Sequence, residues 1–402
     1  MKVVVVGAGA SGLMAAGTAA ENGHDVLIVE RNSRPARKLL ITGKGRCNLT
    51  NYCSNDQLRG AVIRNPRFLY GAFSRFSAQD TMDFFENLGV QLKVERGNRV
   101  FPVSDKSCDI ADALVKYAEQ NAKRICGRVK QLLIDDSSVK GVVLYDGRKI
   151  ECDCVIVATG GLSYPKTGSD GDGYKLAEQA GHTVISTRPS LVPIEIKESF
   201  CSELMGLSLK NIAVSFEQNG KIIYNDFGEM LFTHFGVSGP VILSGSCHLT
   251  DTKNAIIHVD LKPALSREQL DDRILRDFAK YSSREISNAL VDLYPKSLIP
   301  VIIKCADLSG TQKVSGVSRE MRRKIVDTTK DLRLTVTGVR PYDEAIITAG
   351  GVSTKEIDPS TMESKKCSGL YFCGEVIDVD AYTGGYNLQI AFSTGRLAGN
   401  SI

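Results

Sequence analysis

Tryptophan is absent from this 402-residue chain, and histidine occurs only five times. The missing indole closes one aromatic route to ligand stacking but excludes no function. No apolar run approaches the roughly 20 residues needed to span a bilayer. The N-terminal valine run is too short for a signal h-region and is needed as a strand. Charge excess is small too. The formal balance is +4, too little on this length to argue for nucleic acid or an anionic membrane surface as partner. The eleven cysteines are odd in number and irregularly spaced, so they read as reduced thiols of a cytoplasmic protein, not as a disulfide framework. Cys152-Asp153-Cys154 and Cys47…Cys53 lack the paired spacing of a zinc site, and no metal site is expected. Internal repeats and low-complexity segments are also missing.

What is present begins at the N-terminus. Lys2-Val3-Val4-Val5-Val6 is a run of strand length that flows into Gly7-Ala8-Gly9-Ala10-Ser11-Gly12 and then into a small-residue helix. In such a G-x-G-x-x-G loop, Gly7 permits the turn out of the strand. Gly9 leaves room for a pyrophosphate, and Gly12 lets the helix sit close to the strand. The helix N-terminus aims its unpaired N–H groups at the phosphates. Asp25–Val29 reads as a second strand ending in Glu30, whose carboxylate suits a ribose 2′-OH about 20 residues after the glycines. Strand, loop, helix, strand and acid in this order predict a dinucleotide site.

A chain of this length holds two or three domains. Helical spacing covers Asp80–Leu88, and Ile110–Asn121 behind a candidate cap at Asp109. Strands are expected over Val129–Ile134, Val139–Tyr145, Lys149–Cys154 and Val155–Ala158, with a hairpin turn at Asp146-Gly147. Past Pro189 the texture changes to alternating strands (Ile212–Glu217, Ile222–Tyr224, Ile256–Leu261). Helical stretches follow at Arg267–Tyr281, Arg284–Leu293, Ser297–Cys305 and Ser318–Asp331. The α/β texture returns at Leu370–Cys373 and in a helix starting near Gly385. The dinucleotide domain is therefore expected to be discontinuous, built from both ends of the chain around an insertion.

Three features point to FAD as the dinucleotide. The β-meander returns to the nucleotide site through Ala158-Thr159-Gly160-Gly161. Arg31 and Lys38 precede Gly43-Lys44-Gly45-Arg46-Cys47-Asn48, where glycines interleave with cations as a long, doubly charged ligand requires. Cys373-Gly374-Glu375 ends a strand with an acid suited to a ribityl hydroxyl. Gly384-Gly385-Tyr386-Asn387-Leu388-Gln389 then opens a helix whose N-terminus would stabilise charge on the reduced flavin ring.

The motifs Gly43–Asn51, Gly160–Ser169 with Gly171-Asp172-Gly173-Tyr174, Leu231–Pro240, Thr361–Lys365 and Gly374–Asp378 together resemble those of the BaiN-type flavoproteins. That family includes bile-acid enone reductases and aminoacetone oxidases. The resemblance spans essentially the whole chain. It implies a two-dinucleotide-binding-type Rossmann FAD domain (residues 1–190 and 341–402), an inserted β-barrel-like substrate domain (191–262 and 310–340) and a small helical insert (263–309). The cofactor contacts it implies are Gly7, Gly9, Ala10, Ser11, Gly12, Glu30, Arg31, Lys38, Leu39, Gly43, Gly45, Arg46, Cys47, Asn48, Val129, Thr159, Gly160, Gly161, Gly374, Glu375, Asp378, Gly385, Tyr386, Asn387 and Leu388.

Flavin carries the hydride itself, so the protein must position the substrate and supply a proton donor. Tyr164, His234 and Tyr386 are the candidates, with Thr167, Thr233 and Tyr382 beside them. Arg340 reads first as a solvated strand-end charge and second as a carboxylate anchor. The basic run Arg319–Lys324 reads as an exposed helix face and not as a nucleic-acid site. The expected activity is reduction of an activated C=C bond of a 3-oxo bile acid or similar apolar enone, with NAD(P)H as donor. No second G-x-G-x-x-G follows Gly161, so the nicotinamide would visit only transiently. That gap favours the runner-up, a flavin oxidase of a small amine such as aminoacetone that passes electrons to O2.

Overall fold

The computed structural model describes residues 1–402. The chain divides into two compact units, one of Met1–Ser190 with Tyr342–Ile402 and one of Leu191–Pro341.

The first unit is built on a five-stranded parallel sheet. In chain order its strands are β1 (Lys2–Val6), β2 (Asp25–Glu30), β3 (Lys123–Cys126), β4 (Cys154–Val157) and β5 (Leu370–Phe372). Their spatial order is β5-β4-β1-β2-β3. β1 is buried along Val3–Val6 and β4 along its whole length, as strands covered on both faces must be. Helix α1 (Ala10–Glu21) crosses from β1 to β2, and α2 (Tyr386–Asn400) closes the chain. Side sheets complete the unit. One is the expected meander Val129–Asp135, Ser138–Leu144 and Lys149–Glu151, and another pairs Val184–Ser190 with Ile347–Val352.

Two local expectations change. The helix over Ser107–Glu119 starts at a Lys106 cap, which leaves Asp109 inside the first turn instead of capping it. Lys149–Cys154 is two strands, because Cys152 and Asp153 turn out of the meander before β4 begins at Cys154.

The second unit is a closed six-stranded barrel in the order Ile194–Ile196, Gly236–Ser238, Lys221–Phe232, Ser208–Gln218, Ala255–Asp260, Leu332–Val339. Helices Arg267–Lys280, Ile299–Cys305 and Arg319–Lys330 accompany it, but only Ile286–Ala289 of the expected Arg284–Leu293 helix forms. Barrel residues such as Phe216 and Ile257 and helical residues such as Leu270, Phe278 and Ile302 belong to one continuous hydrophobic core.

Candidate functional site

In open parallel sheets ligands bind beyond the carboxyl ends of the strands. Here β1, β4 and β5 end in Gly7, Ala158-Thr159 and Cys373-Gly374, which meet at one edge. Gly7 has φ +104°, and a Cβ there would lie 2.6 Å from the Ala158 carbonyl oxygen. A Cβ on Gly12 would sit 2.0 Å from the Gly7 oxygen, so helix and loop are in backbone contact. Gly9 differs: a Cβ there meets nothing within 4 Å. The space before it is open, as a phosphate would need.

Other features of this edge fit an FAD molecule. Asn48 Oδ1, Thr159 Oγ1 and the Tyr174 hydroxyl are buried with no hydrogen-bond partner. Buried polar atoms are rarely left so unless a ligand or water satisfies them. Helices α1 and α2 begin behind Gly9 and Gly385 with no side-chain cap, whereas Ser54, Ser77, Ser266 and Ser318 cap helices elsewhere. Uncapped N-termini keep their N–H groups for an anion. Ala10, Ser11 and Gly12 form the first turn of α1, and Tyr386, Asn387 and Leu388 the first turn of α2.

The charged residues of the site are already partnered. Glu30 Oε2 accepts from the Ala8 N–H at 2.7 Å, and Oε1 accepts from the Asn32 backbone and side-chain amides at 2.8 Å each. A carboxylate has about four acceptor positions, so roughly one remains for a ribose. Arg31 pairs with Asp170, which Arg128 also holds at 2.9 Å. Lys38 donates to Ser163 Oγ and Glu375 Oε2, both at 2.5 Å. Glu375 Oε1 in turn accepts from Ser163 Oγ at 2.7 Å and from the Thr348 N–H at 2.8 Å. Arg46 is shared by Glu95 and Asp105 and lies 4.2 Å over the Phe101 ring. A hydrogen bond from Arg46 holds the Glu95 carboxyl below its usual range, and hydrogen bonds from Lys93 and Arg46 do the same for Asp105.

The loop around Arg46 is wound tightly, with Gly43, Lys44, Gly45 and Cys47 all at positive φ. Burial pushes the Cys47 thiol up to about 12, so it is an inert packing group at neutral pH. Leu39 and Val129 are buried apolar walls. A Cβ on Gly161 would press on Thr348 Oγ1 at 2.5 Å, and one on Gly160 on Ser169 Oγ at 2.9 Å. Gly374 donates its N–H to Thr394 Oγ1. Asn387 clamps the preceding loop, accepting from the Ala381 N–H at 2.9 Å and donating to the Ala381 oxygen at 2.8 Å. Asp378 accepts from Asn65 Nδ2 at 3.1 Å and Arg64 at 3.5 Å.

The proton-donor candidates separate between the units. Tyr164 has φ +52°, unusual for a bulky residue and a place where backbone strain collects. Burial, with Glu344 nearby, raises its hydroxyl pKa. Tyr386 opens α2, and burial raises its hydroxyl as well. His234 belongs to the barrel unit, where it is exposed with its ring edge-on to Phe235 at 5.0 Å. In that unit Thr233 Oγ1 is buried without a partner. Arg340 is engaged by Glu195 at 2.8 Å and stacks 4.5 Å over Phe235. Of the basic run expected to form an exposed helix face, Arg323 is exposed, but Arg322 is mostly covered in its pair with Asp271, and Lys324 pairs with Asp307. No cluster of three metal-ligating side chains occurs, and no helix is long and apolar enough to cross a membrane.

Sequence reasoning missed Ser163, Thr348, Arg64, Asn65 and Asp380. Only the doubled acid Asp378-Val379-Asp380, just ahead of the Gly384-Gly385 turn, left a readable signal.

The family model described as "HI0933-like protein Rossmann domain" matches residues 1–401. The chain is 32% identical over 409 residues to the 3-dehydro-bile acid delta(4,6)-reductase of Clostridium scindens, covering 100% of this chain and 98% of that protein. It is 30% identical over 399 residues to the ribosomal RNA dihydrouridine synthase of Escherichia coli, covering 97% and 95% of the two. The 3-ketosteroid-delta4-(5alpha)-dehydrogenase of Rhodococcus jostii, at 16% identity, covers 99% of this chain and 96% of its own with a TM-score of 0.52, which is a likeness of fold. Matched from end to end by model and relatives alike, the chain belongs to the HI0933-like, BaiN-type family of Rossmann-fold FAD-dependent oxidoreductases.

Proposed function

We propose that this enzyme saturates a C=C bond conjugated to a carbonyl, in a 3-oxo bile acid or similar apolar enone, with NAD(P)H as electron donor. The full-length match to a bile-acid reductase carries the reading. The flavin supplies hydride chemistry when bound. The chain's own part is to hold it and to manage the proton. Gly9 and the open start of α1 receive the pyrophosphate, Glu30 a ribose, and Glu375 a ribityl hydroxyl. The N-terminus of α2 stabilises negative charge on the ring. Tyr164 and Tyr386, kept neutral by burial, are hydrogen-bond donors for a substrate carbonyl.

A second reading has a specific observation behind it. Two relatives, at 30% and 32% identity, are ribosomal RNA dihydrouridine synthases. The uracil C5–C6 bond is also conjugated to a carbonyl, so both readings share one reaction and differ in substrate.

The test reduces the yellow protein anaerobically with NADH or NADPH and follows flavin absorbance. A 3-oxo-Δ4 bile acid is expected to reoxidise it faster than air does. Faster reoxidation by a uridine-containing ribosomal RNA fragment moves the substrate to RNA. Bleaching by aminoacetone but not by NAD(P)H makes the protein an amine oxidase and overturns the reductase reading.

A further inference from the structure

One segment beside the cofactor glycines has no role yet. After β4 the chain runs through Gly160-Gly161 into a loop that ends where the helix Asp172–Gln179 begins. The two ends of the loop touch, since a Cβ on Gly173 would lie 2.0 Å from Thr159 Oγ1. Loops closed at the base in this way are compact and frequently functional. This one is fastened at three points. Buried Ser163 donates to Glu375 Oε1 and accepts from Lys38. The Thr167 oxygen accepts from Asn32 Nδ2 at 3.1 Å, and the same amide donates to Glu30. Asp170 pairs with Arg31 and Arg128, and Asp172 with Arg128. The loop therefore reaches from the acid that suits a ribityl hydroxyl to the acid that suits a ribose. The hydroxyls of Thr159 and Tyr174, buried without partners, flank it in sequence.

The fastenings differ in strength. At the Ser163 end, which is buried, Thr348 Oγ1 also accepts from the Leu162 and Ser163 N–H groups. The other end is held by side chains about a third exposed, Arg31 at 33%, Arg128 at 36% and Asp170 at 29%. Ion pairs so exposed are weak and are screened by salt. Gly168 and Gly171, at φ +115° and +86°, bracket Asp170 with backbone that glycine alone adopts freely. One end of the loop is fixed and the other is releasable.

We propose that residues 162–172 are a clasp along the FAD site, fixed at Ser163 and latched at Asp170 and Asp172 by Arg31 and Arg128, and that release of the latch sets how fast FAD enters and leaves. The latch joins protein to protein. Weakening it is therefore expected to speed entry and loss together and to leave Kd nearly unchanged, whereas loss of a contact to FAD itself raises Kd.

The test uses the FAD-loaded protein. Release is followed by flavin fluorescence after dilution, and the occupancy reached at equilibrium gives Kd. Arg128→Gln and Asp170→Asn are each expected to release FAD about 10-fold faster, with Kd within about 2-fold of wild type. Between 50 mM and 1 M NaCl, wild-type release is expected to rise about 5-fold, and Arg128→Gln to lose most of that rise. A Kd that rises in step with the release rate makes these residues ordinary binding contacts and overturns the clasp. Wild-type release rates in both variants overturn it as well. The salt profile of the wild type decides the matter if a variant fails to fold, because release that is indifferent to salt excludes an ion-pair latch.

Discussion

A single absent atom separates the glycines of the first loop. Cβ atoms at Gly7 and Gly12 would strike backbone, while one at Gly9 would point into empty space. Gly9 also has ordinary extended backbone, φ −84° and ψ −172°, so the fold tolerates a side chain there, whereas a pyrophosphate seated as proposed would not. Gly9→Val is therefore expected to give a protein with wild-type circular dichroism and melting temperature but no flavin colour. A yellow variant would move the phosphates elsewhere. Against Phe372 of β5, His182 is buried with Nε2 2.7 Å from Ser364 Oγ. Ser364 Oγ also accepts two backbone N–H groups, which makes the trio with Glu356 a structural latch and not a nucleophile. Burial lowers the His182 pKa against the pull of Glu356. The unfolded chain therefore takes up the proton first, near pH 6.5. Stability from this site is complete above that pH and declines as pH falls below it, until the folded pKa is reached. Glu356, held down to about 2 by Lys366 and Thr183 despite its own desolvation, titrates outside this window. The urea midpoint is expected to drop between pH 7.5 and 5.5, and His182→Gln to lose part of that drop. Equal slopes in both proteins would assign it to other groups.

Among elements, the crossing of α1 and α2 sets the site. A Cβ on Gly395 would lie 2.4 Å from the Ser11 oxygen, and one on Gly399 2.5 Å from the Ala15 oxygen. The two backbones touch along a turn of each helix, at the start of α1 and in the C-terminal half of α2. Ser11 Oγ donates to the Cys373 oxygen at 3.4 Å and ties α1 to the end of β5. Gly395→Val must push the helices apart. Overpacking of this kind costs roughly 1–3 kcal/mol, read as a lower melting temperature, and flavin occupancy is expected to fall with it. An unchanged melting temperature with full occupancy would show that the crossing adapts without loss. Helix and strand positions were largely legible beforehand, because burial on one face or on both imposes its own period on the residues. The extent of the helix expected over Arg284–Leu293 was not, since only Ile286–Ala289 forms it. The apolar residues Ile286, Ala289, Leu290 and Leu293 of that stretch are all buried, but they serve a turn-rich segment that has the same periodicity over too few residues.

At the scale of the whole molecule, each unit has a hydrophobic core of its own. Leu191–Pro341, continuous in sequence, is expected to fold alone, with a cooperative thermal transition by circular dichroism and no bound flavin. A non-cooperative melt would show that its barrel needs the rest of the chain. The first unit cannot be cut the same way, since β5 and α2 come from the C-terminal segment.

The sequence by itself determined the dinucleotide site, its likeness to FAD sites and the alternation of α/β and barrel textures. These depend on glycine spacing and apolar period, which are properties of neighbours along the chain. Only the tertiary structure decided how the charges pair. Lys38 meets Glu375, and Arg64 meets Asp378 and Asp380, across more than 300 residues of chain. Arg46 finds Glu95 and Asp105 from 49 and 59 residues away. Of these, Lys38, Arg46, Glu375 and Asp378 read from the sequence as cations and acids for a ligand, and their partners went unnoticed. An ion pair depends on distance in space, and no local pattern records which distant carboxylate a folded chain brings to a given guanidinium.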